Sequence, residues 1–187
     1  MNLKSFFICI IISFTIWVIP FCIRLSINVE NQKIFVNKQK DKKNPQNIMI
    51  DISKEYSKGN RKEVFHLIFL NNFKVVLLNI FGGIFLGLGT FVNLAQNGFY
   101  SADVFCSVHN SGMSWSKIIE YTAPHSFEMI GIWMSGGVGF YIAMLMIDAM
   151  VKNKYPTKLN CKIILISTLS IALIILFAAY IEAFVSV

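Results

Sequence analysis

Residues 73–98 read FKVVLLNIFGGIFLGLGTFVNLAQNG. From Phe73 to Ala95 the stretch is dominated by apolar side chains, and it has the ~20 residues that a helix needs to cross ~30 Å of hydrocarbon. The pattern predicts a membrane-spanning helix over 73–95. Lys74 near its start can snorkel to the headgroups. Gly83 and Gly87 form a small-xxx-small pair, which lets another helix backbone approach closely. Gly98, after Asn97, predicts a helix stop.

Three further apolar runs flank this one. Residues 3–23 are long enough to span, and no small-residue cleavage site follows them, so an uncleaved anchor over 1–23 is expected rather than a signal peptide. Pro20 predicts a kink or an end there. In 125–150, Gly131, Ser135, Gly139 and Ala143 recur every four residues and lay a small-residue stripe along one helix face. Residues 163–185 form the last run, with Glu182 near its end. The stretch 99–110 mixes Phe99, Tyr100 and Phe105 with Asp103, His109 and Asn110, and predicts a re-entrant or interfacial hairpin buried against protein.

The composition agrees. Of 187 residues, 55% are hydrophobic and 14% charged, with mean hydropathy +0.59, against about 25% charged in soluble domains. Most soluble enzymes and all disordered proteins are thereby excluded. The net charge is +7, and its excess is local: ten of the seventeen Lys and Arg lie between Arg24 and Lys62. That polar segment, 24–62, sits between apolar runs, which points to membrane-flanking charge rather than to nucleic acid. It regains periodicity near Ile52, Tyr56 and 63–69, as an amphipathic helix along the headgroups would. The loop 151–162 holds four Lys and no acid and is expected in the cytoplasm. With 99–110 not crossing, four spans put 24–62 on that same side and the C-terminus outside; with 99–110 crossing, 24–62 lies outside.

Sites of chemistry are sparse. No phosphate-binding loop, H-E-x-x-H or G-x-S-x-G occurs. Cys9, Cys22, Cys106 and Cys161 lack metal-ligand spacing and read as structural thiols. His125 and Glu128 share a helix face one turn apart, as a capping or packing pair, or as a pair that binds a cation or relays a proton. No nucleophile–base pair stands out, so no enzyme and no cofactor are expected.

The order of segments carries a resemblance. Asn71-Asn72 leads into GGIFLGLGTFVNL and Asn97-Gly98, then Pro124-His125-Ser126-Phe127-Glu128, then a glycine-rich helix, then AAYIEAFV. This resembles the stage II sporulation protein M family of bacterial integral membrane proteins over about 65–187, with Ser126 where the family has Gly. The apolar runs predict an all-α polytopic bundle of four to five hydrophobic segments, organised as 1–23 anchor, 24–62 basic segment and 63–187 membrane domain; the resemblance lies in the last and implies the bacterial cytoplasmic membrane. It implies a family polar cluster of Asn71, Asn72, Asn97, His125, Glu128 and Glu182. Helix packing is expected between the face of Gly83 and Gly87 and that of Gly131, Ser135 and Gly139. By the same resemblance the chain would scaffold a membrane complex in sporulation, beside peptidoglycan hydrolases. The alternative is a membrane component of bacteriocin export or immunity, beside an ABC ATPase.

Overall fold

The computed structural model describes residues 3–27, 51–52, 54–122 and 126–185. Among these there is no strand. Six helices follow one another: α1 (Leu3–Ser26), α2 (Arg61–Gly82), α3 (Leu88–Asn110), the short α4 (Trp115–Thr122), α5 (Ser126–Lys152) and α6 (Lys158–Phe184). Four stretches are long and apolar enough to cross a membrane: Leu3–Ser26, Arg61–Phe85, Ser126–Lys152 and Lys158–Phe184.

The glycine run is the main departure from expectation. Residues 73–95 are not one helix. A single 3-10 turn, Gly83–Phe85, ends in Leu86 at φ 54° and Gly87 at φ 83°. Two successive left-handed residues reverse the chain, and Gly87 takes that conformation without the Cβ penalty. The two legs then cross where both lack side chains: a Cβ on Gly82 would lie 2.3 Å from the Thr90 nitrogen. Hydropathy alone does not distinguish such a turn from a span, because Ile84, Phe85, Leu86 and Leu88 are all apolar.

Two other expectations change with it. Residues 99–110 are the second half of the continuous helix α3, not a re-entrant hairpin. Gly98 does not stop that helix; it sits in mid-helix against α1, where a Cβ would lie 2.1 Å from the Trp17 carbonyl oxygen. Asn93, Asn97 and Asp103, which lower α3's hydropathy, find partners on its neighbours, which is how a weakly apolar helix stays in the bundle. Likewise α1 runs through Pro20 to Ser26.

Contacts fix the helix directions. Trp17 meets Asn97 and Arg24 meets Asp103, so α1 and α3 are parallel. Val75 and Asn79 meet Asn93 while Gly82 meets Thr90, so α2 and α3 are antiparallel. Asn72, Asn79 and Gly83 meet Glu128, Ser135 and Gly139 in register, so α2 and α5 are parallel. Gly131 faces Ile175 and Tyr141 bonds Asn160, so α5 and α6 are antiparallel. Leu3, the 86–87 turn and the loop 153–157 therefore share one end of a five-helix bundle. Ser26, Arg61, Asn110, Ser126 and Phe184 share the other. This corrects the arrangement in which 24–62 and 151–162 lie on one side: Arg24 and Arg61 are at the end opposite Lys154.

Helix α5 is the hub. Gly131, Ser135, Gly136, Gly137 and Gly139 are buried along it. Tyr141, Val138 and Leu145 build a core with Phe6, Val76, Ile171 and Ile175. A second apolar cluster joins Val64 and Ile68 to Ala179 and Ala183.

Candidate functional site

Where α2, α3 and α5 meet, small residues bring main chains close enough for side-chain amides to bridge them. A Cβ on Gly83 would lie 2.2 Å from the Gly139 carbonyl oxygen, and one on Gly139 would lie 2.2 Å from the Asn79 carbonyl oxygen. Fully buried Asn79 donates to Ser135 Oγ at 2.9 Å and to the Ile132 carbonyl at 3.3 Å. Its own Oδ1 accepts from Asn93 at 2.7 Å, and its main-chain oxygen accepts from Thr90 Oγ1 at 2.7 Å. Asn93 also donates to the Val75 carbonyl at 3.1 Å, and Ser135 to the Ile132 carbonyl at 2.7 Å. In a medium without water such groups must satisfy one another, and here they do.

A second polar zone lies toward the end that carries Ser26 and Ser126. Asn72 donates to the Glu128 carboxylate. Trp17 donates its indole N–H to Asn97 Oδ1 at 3.0 Å. Arg24, nearly buried, pairs with Asp103 at 2.5 Å, and its guanidinium lies 5.5 Å from the Phe99 ring centre. Tyr56, on the helical stretch 54–57, donates to the Glu182 main-chain oxygen, and Arg61 donates to the Ala183 carbonyl at 3.1 Å. Burial first, then the Glu182 charge, pushes the Tyr56 phenol above its ordinary pKa, so the hydroxyl stays a donor at neutral pH.

The expected residues are thus spread over two zones. Gly83, Ser135 and Gly139 converge at the helix crossing, while Gly87 faces Phe140 and Ala143, and Gly131 faces α6. Glu128 begins α5 and Glu182 ends α6, at the same end of the bundle. Asn72 joins Glu128, Asn97 joins α1 instead, and Asn71 is half-buried on α2. His125 lies outside the described residues. Asn79, Asn93 and Arg24 were missed as site residues, and Thr90 stood only as part of the glycine-rich motif GGIFLGLGT. The available signal was Asn79, one turn before Gly82-Gly83 on the same face. Among the described residues no three His, Cys, Asp or Glu gather as a metal site.

A glycine-crossed bundle of long apolar helices with an internal amide network defines a polytopic helical membrane protein. The stage II sporulation protein M family matches residues 3–187, so the match takes in α1 as well as the later helices, and the chain belongs to that family. It is 34% identical over 128 residues to an uncharacterized protein of Methanocaldococcus jannaschii, covering 65% of this chain and 70% of that one. No solved structure matches it.

Proposed function

We propose that the chain is a non-catalytic scaffold of a membrane complex that remodels the cell envelope, a reading supported by the sporulation setting that the family description names. The carrying observation is the closed network of buried Asn79, Thr90 and Ser135 with half-buried Asn93: these polar groups are bonded to one another and to main-chain carbonyls, in the manner of a rigid core. Depleting the chain and comparing membrane complexes on native gels tests this. At least one envelope complex should lose members and regain them on complementation. Unchanged complexes together with a loss of peptide export would replace the scaffold by the export reading.

We further propose that the end carrying Lys4, Lys152, Lys154, Lys158 and Lys162 faces the cytoplasm. These lysines stand within a turn or two of three helix termini, where basic residues weigh most on orientation. Arg24, Lys54, Lys58, Arg61 and Lys62 then face outward, and Arg24 among them is already neutralised by Asp103. Single cysteines at Lys154 and Lys54 should, in intact cells, be shielded from and reached by an impermeant reagent respectively. The reverse pattern would invert the orientation.

A further inference from the structure

The face of α3 that points away from the bundle carries a polar group at an unusual depth. Leu88, Val92, Gln96, Phe99 and Asp103 follow one another at steps of three and four, which keeps them in line on a helix. Leu88 is 70%, Val92 50% and Phe99 37% exposed; Gln96 is exposed as well, and the Asp103 side chain is 36% exposed.

Neighbouring contacts fix the depth of Gln96. Leu94 lies against Gly136 beside Ser13, and Asn97 accepts from Trp17. Gln96 is therefore level with residues 13–17, the middle of the 24-residue α1. Its carboxamide has no hydrogen-bond partner among the described residues. Thr15, at the same depth, turns its hydroxyl onto the Ile11 carbonyl at 2.9 Å. A glutamine stem is far too short to reach water across half of a ~30 Å core, and acyl chains offer neither donor nor acceptor.

We propose that this face of α3 docks a second copy of the chain, with Gln96 at the centre of the contact. Copies in one membrane share an orientation, so their two-fold axis runs along the bilayer normal and a residue near it meets its counterpart at equal depth. A carboxamide holds donors and acceptor in one group, so two Gln96 side chains satisfy each other reciprocally. Amide pairs of this kind drive helix association in lipid. Leu88, Val92 and Phe99 supply apolar packing on either side. Asp103 is held by its own Arg24, so the symmetric approach sets no unpaired carboxylates against each other. The pair goes beyond the scaffold reading and stands whether or not other proteins bind.

The test uses the full chain with its native cysteines replaced. Oxidation of a Val92→Cys variant in membranes should give a disulfide-linked pair at twice the chain's mass, while Leu169→Cys, on the exposed face of α6, should not. In liposomes, fluorescence transfer between labelled copies should show Gln96→Leu weakening association about tenfold, as the loss of an interhelical amide pair predicts, and Gln96→Asn retaining most of it. No pair from Val92→Cys, equal linkage through Leu169→Cys, linkage of Val92→Cys to a different protein, or wild-type association of a normally melting Gln96→Leu would each overturn the proposal. Should Gln96→Leu fail to fold, the Val92 and Leu169 variants decide alone, since both keep Gln96.

Discussion

Around Gly83 and Gly139, helices α2 and α5 touch main chain to main chain, and what matters is that no side chain intervenes. Around Asp103, Asn97 and Glu128, the same bundle is tied by long polar and aromatic side chains reaching from helix to helix. The first kind of contact is rigid, because its neighbours are carbonyl oxygens that cannot rotate away. The second is adjustable, because Arg24, Trp17 and Glu128 have torsions that can absorb a change. The contrast teaches that equal burial need not mean equal tolerance.

The largest effect should therefore come from adding one methyl group at the rigid crossing. In Gly139→Ala the new Cβ would sit 2.2 Å from the Asn79 carbonyl oxygen and 2.5 Å from Thr90 Oγ1. Overpacking of this kind costs about 1–3 kcal/mol and more where nothing can move, so a loss at the upper end of that range is expected, with Gly83→Ala close behind. Both variants should accumulate poorly in the membrane and melt well below wild type. A wild-type melting temperature for either would mean that α2 and α5 do not meet there.

Breaking the side-chain zone should cost less. Arg24→Leu removes the partner of Asp103 and the cation over Phe99. Removing one member of a fully buried pair costs about 3–5 kcal/mol, but the Asp103 side chain is 36% exposed and can draw on headgroup water, which brings the expectation to about 1–2 kcal/mol. A double-mutant cycle with Asp103→Asn should show the two losses to be strongly non-additive. Simple additivity, measured by unfolding in mixed detergent, would show that the pair carries no coupling.

The same contrast explains what could be read before the fold was known. Long apolar runs mark the cores of α1, α5 and α6, and the four-residue repeat of Gly131, Ser135 and Gly139 marks α5 as a helix packed closely by others. The 86–87 turn was not legible, because its first left-handed residue is Leu86 rather than glycine or asparagine, and its flanks are as apolar as any span. With the turn unseen, the polar second half of α3 looked too wet to cross. Its cost is met by residues far away in sequence: Trp17 for Asn97 and Arg24 for Asp103, neither visible as a partner in a local window. The buried amide Asn79 was hidden for the same reason, since its partners Asn93 and Ser135 come from two other helices.

The smallest effect sharpens the comparison at a third glycine. Gly131 belongs to the same repeat as Gly139, yet a Cβ there would meet a side-chain end, Ile175 Cδ1 at 2.7 Å, and not main chain. That methyl can swing to another rotamer, so Gly131→Ala should cost under about 1 kcal/mol, the low end of overpacking penalties. Ile175→Val removes the crowding carbon and alone should cost about 0.5–1.5 kcal/mol for the lost packing. Together the two changes should cost less than their sum, because the added methyl fills the space the deleted one leaves. Equilibrium unfolding of the four proteins in the cycle measures this directly. If Gly131→Ala proved as damaging as Gly139→Ala, or if the double variant were no better than additive, then burial and not the identity of the neighbouring atom would govern tolerance along α5.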